Sequence, residues 1–171
     1  TKINIPDSVE IISSYTFREF TKLEEIVLPR ELKQIDYKAF ENCTSLKSVT
    51  MGNKIEKIQE SAFSGCENLI SISLPDSLTY IGAKAFLRSG LEEIEIPENC
   101  IVKQRAFKEC ENLKKVIINF TGKKEDYYTI PKAVFYNCES LEAIYFTGMQ
   151  TQIKTGDQAF VGCKNLKDIY F

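Results

Sequence analysis

The 171-residue chain contains no histidine and no tryptophan. Without histidine, Cys-His and Ser-His nucleophile-base pairs are excluded, and C2H2 zinc sites with them. The sequence also lacks any C-x-x-C pair, any G-x-x-x-x-G-K-S/T loop and any G-x-G-x-x-G turn, so neither a thiol redox centre nor a phosphate cradle is indicated. No enzyme activity, cofactor or metal is expected. No run approaches the roughly 18 apolar residues of a membrane span, and no signal peptide is visible. Neither sign of charge is in excess: 22 basic and 24 acidic residues leave a net charge of -2, which gives no footprint for nucleic acid or for an anionic membrane.

What is present repeats. Phe40, Phe63 and Phe86 recur at 23-residue spacing, with Phe17 one period upstream and Phe107, Phe135 and Phe160 following at 21, 28 and 25. Six residues after each phenylalanine, or five in one shortened copy at Leu91, a leucine opens the pattern L-x-x-I-x-L. The clearest copy, Leu69 to Phe86, reads L-I-S-I-S-L-P-D-S-L-T-Y-I-G-A-K-A-F. Ile3 and Ile5 form a partial copy at the start. A period of 20 to 29 residues on L-x-x-L-x-L is the signature of a leucine-rich horseshoe. The x-I-x-L run alternates as a half-buried strand does. Strands repeated by one translation are parallel, spaced about 4.8 Å apart, with equivalent residues in columns.

Hydrophobic residues make up 43% and charged residues 27% of the chain, enough for a continuous core and a soluble surface. Prolines 6, 29, 75 and 97 end the strand in four copies, since proline cannot donate to a ladder. The following segment is ambiguous. Leu32, Ile35, Ala39, Phe40 and Cys43 also suit an amphipathic helix, which would make strand-helix units and a doubly wound sheet or barrel, but such units usually need about 30 residues. The expectation is one solenoid over residues 1–171 of about seven repeats: an α/β horseshoe, β-rich, with short helical turns at A-F-x-x-C and a second extended stretch near x-I-x-x-I. Thr1 lies in mid-repeat and Phe171 on the last apolar position of a strand, so a segment of a longer protein is expected.

Five of the six cysteines, Cys43, Cys66, Cys110, Cys138 and Cys163, stand three residues after the phenylalanine. Stacked coils would put their Cβ vectors parallel, which is poor disulfide geometry, so reduced structural thiols are expected. Cys100 occupies a different apolar position. Serine replaces the cysteine at Ser89-Gly90, where one residue is missing and a local kink is expected. The sequons at Asn42 and Asn119 are weak signals. An insertion from Phe120 to Tyr128 is charged and aromatic, and such insertions map to loops on one face.

The residues flanking each central isoleucine point away from the core. One column reads Lys2, Glu25, Ser48, Ser71, Glu93, Lys115, Ala143, Asp168; the next reads Asn4, Val27, Thr50, Ser73, Glu95, Ile117, Tyr145, Tyr170. Ile117, Tyr145 and Tyr170 would form an apolar strip beside the insertion. Tyrosine on a rigid sheet is a favoured contact residue. The candidate surface is therefore Glu93, Glu95, Lys115, Ile117, Phe120, Tyr127, Tyr128, Tyr145 and Tyr170. Two plainer readings stand beside it: strand propensity alone places tyrosine there, and Glu93 and Glu95 near Lys114 and Lys115 form a solvated ion-pair surface.

The unit L-x-x-I-x-L-P-x-x-L-x-x-I-G-x-x-A-F-x-x-C, carried by Leu69, Ile72, Leu74, Pro75, Leu78, Ile81, Gly82, Ala85 and Phe86 and by A-F-x-G-C at Ala62 to Cys66, resembles the BspA-like leucine-rich repeat class of bacterial surface proteins and some parasitic protozoa. The resemblance implies a right-handed solenoid with a concave parallel sheet, an extracellular or cell-surface location, and, for several members, adhesion to host extracellular proteins or to other cells. A non-enzymatic protein-binding or adhesion module is the first expectation; a spacer or stalk without a ligand, or a carbohydrate binder, are the alternatives.

Overall fold

The computed structural model describes residues 3–120, 127–148 and 152–171. It is a parallel β-solenoid of about seven turns. The strands among the described residues, in chain order, are β1 (Ile11–Ile12), β2 (Glu25–Val27), β3 (Gln34–Ile35), β4 (Ser48–Thr50), β5 (Lys57–Ile58), β6 (Tyr80–Ile81), β7 (Glu93–Ile96), β8 (Ile101–Val102), β9 (Lys115–Asn119), β10 (Tyr127–Ile130), β11 (Ala143–Thr147), β12 (Gln152–Thr155) and β13 (Asp168–Tyr170). Two walls result. One carries β2-β4 and, further along, β7-β9-β11-β13; the other carries β1-β3-β5-β6-β8 and the pair β10-β12.

Among the described residues the strand pairs are parallel, and residues pair with their copies one coil away: Ile35 with Ile58, Ile58 with Ile81, Ile94 with Val116, Val116 with Ile144. The phenylalanines obey the same register. Successive rings from Phe17 through Phe160 stack, at 5.1 Å for Phe40 on Phe63 and 5.5 Å for Phe63 on Phe86. Five of these side chains, Phe40, Phe63, Phe86, Phe107 and Phe135, are fully buried. Each stacked pair adds about 0.5–1.5 kcal/mol beyond the burial of its area. The 21- and 28-residue coils keep the stack, at 5.4 and 5.8 Å, so length changes are absorbed between columns and not within them.

The expected helical turns are replaced by something else. Among the described residues no helix forms. Around each phenylalanine, alternate N–H groups bond in two directions: Thr16 to Ser13, Arg18 to Tyr15 and Phe20 to Phe17 within the coil, but Tyr15, Phe17 and Glu19 to the carbonyls of Tyr37, Ala39 and Glu41 on the next. Residues two before and two after the phenylalanine have positive φ in every coil, from Tyr15 and Glu19 to Gln158 and Gly162. Positive φ at the third residue of a turn is what a type II turn requires. A helix would consume all these N–H groups locally; left-handed steps free every second one for the neighbouring coil. Twelve of the fourteen such residues are not glycine, each at a cost of about 1 kcal/mol that the inter-coil bonds offset.

The cysteine column is free of disulfides and buried, except at Cys163 in the last coil, which is half-buried. Each thiol donates to the carbonyl of the previous coil's phenylalanine: Cys43 to Phe17, Cys66 to Phe40, Cys110 to Phe86, Cys138 to Phe107 and Cys163 to Phe135, at 3.0 to 3.2 Å. In the shortened copy Ser89 is buried and its hydroxyl lies 3.2 Å from Cys110 Sγ. Gly90 closes that coil: a Cβ there would collide with the Glu67 carbonyl. Outside, ion pairs tie coil to coil, including Arg30 to Asp7, Lys33 to Glu10, Lys47 to Glu24, Lys54 to Glu31, Lys114 to Glu92 and Arg88 to Glu109. Exposed pairs contribute about 0–1 kcal/mol each.

Two departures concern the candidate surface. The consensus stretch Leu69 to Leu74 carries no assigned strand, and the wall is divided there between β4 and β7; serine on both sides of Ile72 supplies no cross-strand packing pair. The insertion is not loop throughout, because β10 pairs in parallel with β12.

Phe63→Ala is expected to cost about 3–5 kcal/mol in urea unfolding, and Gly90→Ala about 1–3 kcal/mol by overpacking, whereas Lys33→Ala should leave the urea midpoint nearly unchanged. Burial pushes the thiols above their ordinary value near 9, to about 11 for Cys43 and Cys110 and about 12 for Cys100. Raised folded values mean that this stability is fully present below about pH 9 and lost as pH rises through 11. Native protein at pH 8 should therefore leave Cys66 and Cys110 unreactive to a thiol reagent until denaturant is added, and the urea midpoint should fall between pH 9 and 11.

Candidate functional site

The columns read from the sequence exist where the ladder is continuous. Glu93, Lys115, Ala143 and Asp168 are register partners across β7, β9, β11 and β13, as are Glu95, Ile117, Tyr145 and Tyr170. β7, β9 and β11 bury their central residues, Ile94, Val116 and Ile144, and turn the neighbours outward because side chains alternate along a strand, whereas Ile169 of β13 is exposed. The Tyr145 and Tyr170 rings stack face to face at 4.7 Å and 8°. Tyr170 is 47% exposed and Tyr145 half-buried under it. Lys115 Nζ lies 5.6 Å from the centre of the Tyr145 ring, a cation–π contact. The Asp168 carboxylate beside Tyr170 holds its phenol above the ordinary value.

Glu95 accepts a hydrogen bond from Asn119 Nδ2 at 2.8 Å, and Thr147 Oγ1 donates to Asn119 Oδ1 at 2.7 Å. This polar rail ties β7, β9 and β11 together and occupies the Asn119 amide of the second sequon.

Phe120 and Tyr128 do not join the strip. Tyr128 packs edge-on between Phe120, at 5.6 Å, and Phe146, at 5.9 Å, against the core, and burial pushes its phenol up to about 12. Residues 121–126 of the insertion, and the Tyr127 side chain, lie outside the described residues. The strip that the structure assembles is thus Glu93, Glu95, Lys115, Ile117, Tyr145 and Tyr170. Between it and the interrupted stretch is a depression of about 200 Å³ lined by Ser71, Ile72, Ser73, Glu93, Ile94, Glu95, Lys115 and Ile117.

A second exposed cluster escaped the sequence reading. Tyr15 and Tyr37, 49% and 36% exposed, meet edge to face at 5.4 Å, with Arg18 over one ring and Lys38 over the other. Both cations also pair with Glu41. The signal was available: the two tyrosines sit two and three residues before successive phenylalanines, but only strand columns had been compared.

Among the described residues no group of three or more His, Cys, Asp or Glu could hold a metal ion, and no helix is long and apolar enough to cross a membrane.

The family model for the BspA type leucine rich repeat region matches residues 1–114 and 90–171 in six copies. The chain belongs to this family, whose repeats are generally protein-interaction modules and typically non-enzymatic scaffolds. Three solved structures share the fold. The leucine rich repeat protein TpLRR of T. pallidum is 23% identical with a TM-score of 0.86, over 98% of this chain and 78% of that one. A leucine rich cell surface protein of Faecalibacterium prausnitzii is 22% identical with a TM-score of 0.58, over 100% and 60%. The pneumococcal vaccine antigen PcpA is 23% identical with a TM-score of 0.63, over 86% and 41%. No curated protein sequence matches.

Substituting Tyr128 by alanine is expected to cost about 2 kcal/mol or more in urea unfolding, whereas Tyr170→Ala should cost less than about 1 kcal/mol. Equal losses would mean that Tyr170 is as much a packing residue as Tyr128.

Proposed function

We propose that the chain is a non-enzymatic binding and adhesion module of a secreted or surface-anchored protein, and that it engages a protein partner through the wall bearing Ile117, Tyr145 and Tyr170. The observation that carries this is the stacked Tyr145–Tyr170 pair, presented to solvent on strands locked in register. A preformed aromatic platform binds with little ordering cost, and tyrosine is enriched where binding energy concentrates. On the horseshoe reading this wall is the concave one, which encloses more of a partner than a flat face does. The cell-surface description of the F. prausnitzii neighbour and the antigen description of the pneumococcal one support the same location. Residues 1–171 act as one unit, since every coil is bonded to the next. Host extracellular-matrix or cell-surface proteins are the proposed partner class.

A spacer role competes, favoured by the ion pairs that join coil to coil along the outside. The test is surface plasmon resonance of the intact chain and of a Tyr145→Ala/Tyr170→Ala variant against a panel of extracellular-matrix proteins, with a glycan array in parallel. Binding to a protein that falls at least tenfold in the variant, with an unchanged melting temperature, is expected. Unchanged affinity removes this wall from the contact, and no binding at all by the intact chain favours the spacer.

A further inference from the structure

Several acidic side chains on the outside of the solenoid have a cation: Glu10, Glu24, Glu31, Glu92, Glu109 and Glu139 each meet a lysine or arginine of an adjoining coil within 3.0 Å. Glu93 and Glu95, like Glu25 and Glu142, have no such partner among the described residues, but they alone of these stand together at the rim of a depression. Both are exposed on β7, and no ion pair reaches either of them among the described residues. Lys115 is the register partner of Glu93, yet its ammonium sits over the Tyr145 ring and makes no ion pair with that carboxylate. The two carboxylates border the depression of about 200 Å³, whose opposite side is Ser71 and Ser73 and whose floor is Ile72 and Ile94. It exists because the consensus stretch is not laddered to the strands beside it. Carboxylates and hydroxyls above an apolar floor match a basic side chain, which buries its methylene stem and keeps its charged head against acceptors. An arginine guanidinium fits carboxylates in a two-bond fork.

From Glu95 the ladder runs through Ile117 to Tyr145 and Tyr170, two and three strand spacings away, or roughly 10–14 Å. An extended chain covers that in about three to four residues.

We propose that this wall takes an extended protein segment crossing the strands, with an arginine or lysine in the Glu93/Glu95 depression and an apolar or aromatic residue three to four positions away on the Tyr145–Tyr170 stack. The inference rests on the binding role proposed above and adds the chemistry of the partner. Phosphate-bearing ligands are repelled by the same carboxylates.

The probes are fluorescein-labelled peptides with the core Arg-x-x-x-Phe, and otherwise identical peptides with Glu in place of the arginine or Ser in place of the phenylalanine. Anisotropy titration of the intact chain should give a Kd tighter than about 1 mM for the first, at least tenfold weaker binding for each control, and tenfold weakening by Glu93→Gln/Glu95→Gln, with that loss reproduced in wild type by 500 mM NaCl. Equal binding of the Glu-bearing peptide, indifference to the Glu93/Glu95 substitutions, or no binding by any peptide overturns the proposal. The two readings fail separately. If macromolecule or neutral glycan binding depends on Tyr145 and Tyr170 but not on the glutamates, the wall remains a binding surface and the basic partner is wrong; if neither substitution matters, both are wrong.

Discussion

Vertical register is the constraint on which everything else depends. Core residues of successive coils have their own copies as partners, so a core side chain fits when it stacks on a near-identical one about 4.8 Å away. Phenylalanine, isoleucine and leucine meet that condition in the core. Cysteine meets it differently: its small thiol lies against the phenylalanine of the preceding coil and satisfies that residue's carbonyl, at 3.0 Å for Cys43 on Phe17. A polar residue must find its hydrogen-bond partner within the column or beside it, as Ser89 does at Cys110. Charged residues satisfy the same rule outside by alternating sign between coils.

The backbone obeys the register before the side chains do. Alternating left-handed residues around each phenylalanine send every second N–H to the next coil, so the turns are part of the inter-coil bonding as much as the strands are. This explains why the array tolerates a 21-residue and a 28-residue coil without losing the phenylalanine stack. The end of the insertion, Tyr127 and Tyr128, opens β10, which pairs with β12 of the next coil.

How much was legible follows from the same physics. A period of 23 and an alternation of two are properties of the sequence itself, and they were enough to place Glu93, Glu95, Lys115, Ile117, Tyr145 and Tyr170 in the columns where they are found. The turns were not legible, because Leu32, Ile35, Ala39, Phe40 and Cys43 fit a helix equally well and because residues such as Lys38, Ser61 and Lys84 hold the left-handed positions where glycine would have been the signal. Tyr128 was placed on the surface for want of knowing that the insertion returns as a strand and turns that ring between Phe120 and Phe146. The interruption at Leu69 to Leu74 was hidden by the regularity of that copy, the nearest to the repeat pattern in its leucines and isoleucine and the poorest in flanking side chains able to pair across strands.

Nuclear Overhauser contacts among selectively labelled phenylalanine rings test the register most directly. The account predicts ring contacts for Phe40 with Phe63, Phe63 with Phe86 and Phe86 with Phe107, whose centres lie 5.1, 5.5 and 5.4 Å apart, and none for Phe40 with Phe86. Missing neighbour contacts, or a direct contact between alternate rings, would contradict it.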